Sequence, residues 1–255
     1  MRTDNTELGQ FVTFQKRTLY DVFDVTSLLH EGCNALGVML GAGWWAEPSI
    51  AAGPRQFRAL LSVTTAAGGT VYYPSANAVG VPGALVFNTT AGPVTADNIY
   101  DGESYDGRIA AAIDGWTACG FVAAPGAWVP TSAPAQSPTA YGAIISSHAV
   151  PIRTDRTFSI AAGGITQPLP GVYVVDFAQN MAGQTTLSVN DCPAGTVITL
   201  IHNEILNPDG TVNRNLANMV GKYTCAGTGG QETYRTLFTY YGFRYVQVRE
   251  IDAGA

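Results

Sequence analysis

Short apolar and alternating segments, separated by turn-forming residues, run along the whole chain, and this pattern is typical of β-strands. After residue 170 the pattern is clearest at residues 171–177, 184–190, 196–202 and 236–250. Within 184–190 the apolar positions alternate with polar ones, as expected for a strand with one buried face. No helical periodicity persists for three full turns. The second half of the chain therefore predicts a β-sandwich-like domain.

The first half has the same character with shorter segments. Strands are predicted at residues 18–25, 57–63 and 70–73, and Gly68-Gly69 marks a hairpin turn between the last two. Residues 35–40 form a compact apolar run bounded by glycines, which predicts a buried strand. These segments predict a second domain of the β-sandwich class.

A proline-punctuated stretch at residues 125–138 separates the two halves. Proline fixes φ and removes a backbone donor, so such a stretch favours extended, solvated backbone. We therefore predict an all-β fold with two β-sandwich domains, residues 1–148 and residues 149–255, joined by this Pro-rich connector.

Composition narrows the function classes. The 255 residues include 13 basic and 19 acidic side chains, for a net charge of −6, and charged residues make up 13% of the chain. This chain is too apolar and too weakly charged to be disordered, and its acidic balance argues against a nucleic-acid partner. The most apolar stretch, residues 33–46, is shorter than the ~18–20 residues needed to span a bilayer, so no membrane partner is expected.

The N-terminus and the cysteines bear on compartment. Residues 1–7 are polar and lack the apolar core of a signal peptide, so a cytoplasmic location is the default, with a secreted parent protein as the alternative. The four cysteines contain no Cys-x-x-Cys pair, which argues against zinc. They are expected to be free thiols in a reduced compartment.

The richest polar segment spans residues 97–108 and places four carboxylates within ten positions. The simplest interpretation is a surface turn partly neutralised by Arg108. A calcium site is a second interpretation, because Ca²⁺ prefers several hard oxygen ligands, and no other cofactor is expected. Sugar contact and acid–base catalysis by carboxylates that raise each other's pKa complete the alternatives. The candidate calcium ligands are Asp97, Asp101 and Asp106, and the candidate sugar-contact residues are Asp97, Asn98, Asp101 and Glu103.

Trp44 and Trp45 follow two glycines and form a second candidate sugar-contact site. Exposed aromatic faces stack on sugar rings, although adjacent aromatic residues also pack in protein cores. The three histidines are far apart in sequence, and no nucleophile or phosphate-loop motif occurs. The residue chemistry alone therefore identifies no catalytic residue.

Five sequence blocks follow one another along the chain, at residues 16–44, Ile99-Tyr100-Asp101-Gly102-Glu103-Ser104-Tyr105-Asp106, 173–183, 202–211 and 238–248. Together they resemble one family, the bacterial-type α-L-rhamnosidases of glycoside hydrolase family 78. The first two blocks resemble its N-terminal domain, and the last three are similar to its concanavalin-like, jelly-roll domain. Family members hydrolyse terminal α-L-rhamnosides on glycosides or polysaccharides, so the resemblance implies rhamnosylated partners.

The departures from the family pattern shape the functional expectation. Members carry out catalysis in a following (α/α)₆ barrel, and no segment of this chain resembles it, so no catalytic residue is assigned. Few residues precede the first block, so the first sandwich is expected to be truncated at its start. Ala178 replaces the usual glycine of an Asp-Phe-Gly-Gln-Asn block.

One function is therefore expected, with two alternatives. The chain is the non-catalytic N-terminal portion of an α-L-rhamnosidase, inactive alone and lacking its catalytic barrel as a partner domain. The alternatives are a free-standing rhamnose- or carbohydrate-binding module and an unstable gene-fragment product with no independent function.

Overall fold

The structure, a computed structural model, describes residues 16–44, 55–75, 83–132, 142–147, 154–160, 162–214 and 219–251. Nearly all of its regular structure is β, which confirms the predicted fold class. One short helix, α1 (Gly107–Ala112), and a 3₁₀ turn at Thr26–Leu28 are the helical segments of these ranges. None of the helices in the described ranges has the length and apolar character that crossing a membrane requires.

The first part of the chain forms short strands in small sheets. β1 pairs with β8 in parallel, whereas β2–β3 and β4–β7 are antiparallel pairs. The β2–β3 hairpin turns at the predicted Gly68-Gly69. The strands are β1 (Arg17–Tyr20), β2 (Leu60–Thr64), β3 (Thr70–Pro74), β4 (Asn88–Thr89), β5 (Val94–Asn98), β6 (Gly102–Asp106), β7 (Val129–Pro130) and β8 (Ala143–Ser146).

The later strands build a seven-stranded sheet with the order β5-β6-β13-β12-β15-β10-β9, and β11 pairs with β14 in a separate two-stranded sheet. The strands predicted from the pattern in this half are all present. They are β9 (Ile165–Leu169), β10 (Val172–Gly183), β11 (Thr186–Asn190), β12 (Val197–Asn203), β13 (Val220–Thr224), β14 (Gln231–Arg235) and β15 (Tyr241–Ile251).

The main core lies between the seven-stranded sheet and the β11–β14 pair. Leu187 and Val189 of β11 pack against it from one side, as their alternation predicts. A smaller cluster of Val174, Ile201 and Val212 covers part of the opposite face of the large sheet. The buried members of the main core are Val175, Cys192, Ile198, Leu200, Tyr223, Cys225, Tyr234, Tyr241, Phe243 and Val246.

Two strands from before the Pro-rich connector belong to the large sheet. β6 pairs in parallel with β13, and β5 pairs with β6 at the sheet edge. Gly102 begins the β6–β13 pairing with φ +96°, and a Cβ there would lie 2.1 Å from the carbonyl oxygen of Val220. Only glycine permits this backbone approach. Through β5 and β6, residues that precede the connector therefore form part of the seven-stranded sheet.

The predicted buried strand at residues 35–40 is wrong. The structure has no regular strand there, and Leu36 and Leu40 are exposed. Gly37 instead lies against the ring of Trp116, and Gly41 lies against Phe238, at distances that leave no room for a side chain. The glycines allow an irregular segment to pass closely over two aromatic rings, which an apolar run between glycines does not distinguish from a strand.

Candidate functional site

The acidic segment at residues 97–108 forms the β5–β6 hairpin and the start of α1. Asn98 shapes the turn, because its Oδ1 accepts hydrogen bonds from the backbone amides of Tyr100 at 2.7 Å and Asp101 at 3.1 Å. Asp101 lies exposed at this turn. The surface-turn interpretation therefore holds for Asn98 and Asp101. The carboxylates of Asp97, Glu103 and Asp106 each bind other partners.

Asp97 joins three segments of the chain. Its side chain is 1% exposed, its Oδ1 accepts a hydrogen bond from Arg55 Nη2 at 2.8 Å, and its Oδ2 accepts from the backbone amide of Ala42. Both oxygens are thus engaged. Asp97 anchors the irregular segment that leads to Trp44 onto the edge of the large sheet.

Glu103 is buried, with 1% of its surface exposed, and does not lie at the surface as a sugar contact would require. Its carboxylate accepts hydrogen bonds from the backbone amides of Leu237 at 2.9 Å and Phe238 at 2.7 Å, and from the Tyr234 hydroxyl at 3.2 Å. Burial raises the pKa of Glu103 to about 7 despite these donors, and the charge of Asp97 adds a smaller increment. Glu103 clamps β6 to the segment that follows β14.

Asp106 begins the helix α1. Its Oδ1 accepts a hydrogen bond from the backbone amide of Arg108 at 2.9 Å, as a helix N-cap does. The Arg108 side chain donates to both carboxylate oxygens, at 3.0 and 2.8 Å, and these hydrogen bonds hold the pKa of Asp106 below its ordinary value. The neutralising role predicted for Arg108 is therefore directed at one carboxylate.

The three predicted calcium ligands do not assemble into a site. Asp97 and Asp106 use both oxygens on other donors, and Asp101 lies apart at the exposed turn. Across the described ranges, no group of three or more histidine, cysteine, aspartate or glutamate side chains is placed to hold a metal ion. Arginine side chains and a backbone amide already occupy the oxygens of Asp97 and Asp106, so these oxygens are not available to a metal ion.

Trp44 lies beside the acidic hairpin. Its ring packs edge-to-face against Tyr100, with 5.8 Å between the ring centroids. Trp44 is half-buried, and Tyr100 is 53% exposed. Trp45, the other member of the predicted aromatic pair, lies outside the described residues. The structure thus gathers an aromatic pair and the Asp97–Arg55 ion pair on neighbouring segments.

His202 is a core residue, with 1% of its surface exposed. Its ring stacks on Tyr241 with 3.8 Å between centroids, and its Nε2 lies 3.0 Å from Thr185 Oγ1. Burial lowers the pKa of His202 to about 3, so the ring is neutral at ordinary pH. It is not exposed to a substrate.

Two charged residues missed by the sequence reasoning have well-defined roles. Glu232 accepts hydrogen bonds from the backbone amides of residues 226–228 and from the Tyr223 hydroxyl, and these donors lower its pKa to about 2 against the opposing effect of burial. Asp176 pairs with Arg244 through two hydrogen bonds of 2.8 Å. Asp176 and Arg244 lie on strands that are distant in sequence, so local pattern gave no signal for that pair. Glu232 binds donors that are near in sequence, on β13 and in the loop that follows it.

The expectation of free cysteines is wrong. Cys33 is bonded to Cys119, and Cys192 is bonded to Cys225, which leaves no free thiol. The first bridge is exposed and ties residues 30–44 to the chain after α1, whereas the second is buried in the main core. Sequence separations of 86 and 33 residues conceal both pairings.

Comparison with protein families gives two matches in order along the chain. Residues 4–156 match the α-L-rhamnosidase N-terminal domain, and residues 166–255 match the bacterial α-L-rhamnosidase concanavalin-like domain. An α-L-rhamnosidase of Streptomyces avermitilis is 35% identical over 92% of this chain, and one of Formosa agariphila is 26% identical over 94%. The chain spans only 22% and 25% of the length of these two relatives.

Solved structures give the same result. An α-L-rhamnosidase from Dictyoglumus thermophilum covers 92% of this chain with 27% identity and a TM-score of 0.75, and this chain covers 25% of that structure. The Streptomyces avermitilis α-L-rhamnosidase complexed with L-rhamnose also covers 92%, with 30% identity and a TM-score of 0.69, and 22% of that structure is covered. The chain therefore belongs to the bacterial α-L-rhamnosidase family, in which it corresponds to the N-terminal and concanavalin-like domains.

Proposed function

We propose that this chain is the non-catalytic N-terminal portion of an α-L-rhamnosidase, and that the whole enzyme hydrolyses terminal α-L-rhamnosides. The observation that carries the proposal is the ordered match to two accessory domains over about a quarter of the length of the relatives. The catalytic domain is the partner that this proposal requires.

The chemistry of the acidic segment supports this proposal. An inverting glycosidase needs two carboxyl groups about 6.5–9.5 Å apart across the scissile bond, with a water between them. Asp97, Glu103 and Asp106 instead bind arginine side chains or backbone amides. Such carboxylates serve to join segments of the fold.

The experiment is a rhamnose-release assay on the purified chain with an aryl α-L-rhamnoside. We expect no release above the buffer rate. The Streptomyces avermitilis enzyme, assayed at the same molar concentration, is the positive control. Turnover by the chain that is lost in Glu103→Gln would contradict the proposal, because it would make that carboxyl a catalytic acid.

Sugar binding by this chain alone is the second candidate function. It is favoured by the Trp44–Tyr100 pair beside the exposed side chain of Arg55, because aromatic faces and nearby polar donors are what sugar rings contact. Asp97, whose side chain is buried with both oxygens engaged, holds Arg55 in place and does not itself reach a sugar. Asn98 and Asp101 stand at the same turn and complete the proposed contact surface.

Calorimetry with L-rhamnose, with and without Ca²⁺, tests this second function. We expect saturable heat at millimolar sugar that is lost in Tyr100→Ala. Tyr72→Ala is the matched control, because Tyr72 is an exposed tyrosine on β3, which belongs to a different sheet from this hairpin. An absence of heat, or equal loss in both variants, would reject the site. Heat that requires Ca²⁺ would show that calcium, the one cofactor considered from the sequence, takes part in binding.

We also infer that the chain matures in an oxidising compartment. Two disulfides, one of them exposed, favour this because thiols stay reduced in the cytosol of most organisms. Secretion of the parent protein is therefore favoured over the cytoplasmic location that the N-terminus suggested.

A further inference from the structure

Four donor side chains lie in a row across the large sheet. Ser104 of β6 is opposite Lys222 of β13, which is opposite Thr199 of β12, which in turn is opposite Arg249 of β15. Neighbouring strands are about 4.8 Å apart, so the row spans roughly 14 Å. Its side chains carry, in order, a hydroxyl, an ammonium, a hydroxyl and a guanidinium group, of which the lysine is exposed and the threonine is buried.

The row lies on the face of the sheet opposite the main core. Leu200 and Tyr223 belong to that core, and side chains alternate along a strand. Thr199 and Lys222 therefore share the other face with Ile201 and Val220, which belong to the smaller cluster.

Two groups of the row are buried without a hydrogen-bond partner. Thr199 is 2% exposed, and its Oγ1 has no partner, nor has the buried Nε of Arg249. Leaving a buried polar group unpaired is energetically unfavourable, and native structures usually provide such a group with a partner, a water or an ion.

The positive charge of the row is also uncompensated. No carboxylate of the described residues lies within ion-pair distance of Lys222 or Arg249. Asp106 is on the same strand face as Ser104, two positions along β6, but both of its oxygens are held by Arg108. An unneutralised pair of cations is notable in a chain with a net charge of −6.

We propose that this row binds an oxyanion, either a carboxylate or a sulfate group. Arginine presents a planar fork of N–H donors that matches such a group, lysine supplies a point charge, and the threonine hydroxyl supplies a further donor. The site would satisfy the orphaned Oγ1 and Nε and neutralise the two cations. It is separate from the acidic hairpin and from any rhamnose contact there.

Nuclear magnetic resonance of the ¹⁵N-labelled chain tests the proposal. Sodium sulfate is titrated against sodium chloride at constant ionic strength, and D-galacturonate and neutral D-galactose are titrated separately. We expect saturable amide shifts in β12, β13 and β15, with half-saturation in the millimolar range. Saturation by both anions would show that the site binds oxyanions in general. Saturation by galacturonate alone would show that its ligand is an acidic sugar.

Variants connect the binding to the row. Arg249→Met should raise the half-saturation concentration about tenfold, whereas Arg156→Met, at an exposed arginine beside Asp155, should leave it unchanged. Thr199→Val keeps the side-chain shape and removes the orphaned hydroxyl, so it should fold and bind the anion more weakly. No saturable shift with either anion, an equal shift with galactose, or unchanged affinity in Arg249→Met and Thr199→Val would overturn the proposal.

Discussion

Ala178 occupies a backbone conformation that suits glycine. Its φ is 59°, in the left-handed region, and its amide donates to Asp176 Oδ1 at 2.7 Å. It lies where the pairing of β10 with β15 shifts register, between Asp176 and Met181. The positive φ explains why the family block has glycine at this position. In this chain Ala178 adopts the same left-handed conformation, which strains its backbone.

Ala178→Gly should stabilise the chain. A left-handed L-residue costs about 1–2 kcal/mol, and the extra unfolded-state freedom of glycine offsets about 0.5–1 kcal/mol of the relief. We expect a net gain on the order of 0.5–1 kcal/mol in the free energy of unfolding, measured by urea denaturation.

Ala182→Gly in the same strand is the matched control. Ala182 does not have positive φ, so glycine there should destabilise by about 0.5–1 kcal/mol. Destabilisation by both substitutions would show that Ala178 carries no strain.

At the scale of elements, the Glu103 clamp joins β6 to the segment after β14. Residues 103 and 237 are far apart in sequence, and the clamp meets two backbone amides and a tyrosine hydroxyl inside the protein. The pKa of Glu103, raised by burial from its ordinary value of 4.5 to about 7, makes the clamp sensitive to pH.

The clamp predicts how stability changes with pH. Because the folded-state pKa lies above the unfolded value, the contribution of Glu103 is full below about pH 4.5 and is lost as pH rises through about 7. Relative to Glu103→Gln, the wild-type free energy of unfolding should fall by on the order of 3 kcal/mol between pH 4.5 and pH 8.

Denaturant unfolding over this pH range measures the effect. Asp101→Asn, at the exposed turn of the same hairpin, should keep the wild-type slope. If Glu103→Gln also keeps that slope, the buried carboxyl is ionised throughout and the proposed pH sensitivity is wrong.

At the scale of the whole molecule, covalent bridges hold the chain in two different environments. Cys33–Cys119 is exposed and closes a long loop among the short strands, whereas Cys192–Cys225 lies within the main core. Both clusters of buried apolar side chains are built from residues 174–246. The first part of the chain therefore depends more on its bridge and on its strands in the large sheet.

Mild reduction should distinguish the bridges. Under native conditions, dithiothreitol should free Cys33 and Cys119 first, with an expected loss of about 4–5 kcal/mol of loop-closure stabilisation. Differential alkylation and mass spectrometry should find Cys192 and Cys225 protected until the protein is denatured. Equal reactivity of all four cysteines, or a different pairing, would contradict the structure.

Sequence pattern predicted the strands whose alternation is local, such as those with Leu187 and Val189, and the family blocks predicted the family to which the chain belongs. Sequence pattern did not predict that the polar segment around Glu103 forms a strand pair in the large sheet. A carboxyl group can be buried there because it accepts hydrogen bonds from the amides of residues 237 and 238, which are far away in sequence. The engagement of Asp97 by Arg55 and Ala42 and the cysteine pairing were hidden for the same reason. Each depends on contacts between distant parts of the chain.

The most direct test of the central claim is the rate of rhamnose release by the purified, disulfide-intact chain from an aryl α-L-rhamnoside between pH 4 and pH 8. We expect no turnover above buffer at any pH, for wild type and for Glu103→Gln alike. Turnover by the wild type that disappears in Glu103→Gln would contradict it and would place a catalytic acid within these domains.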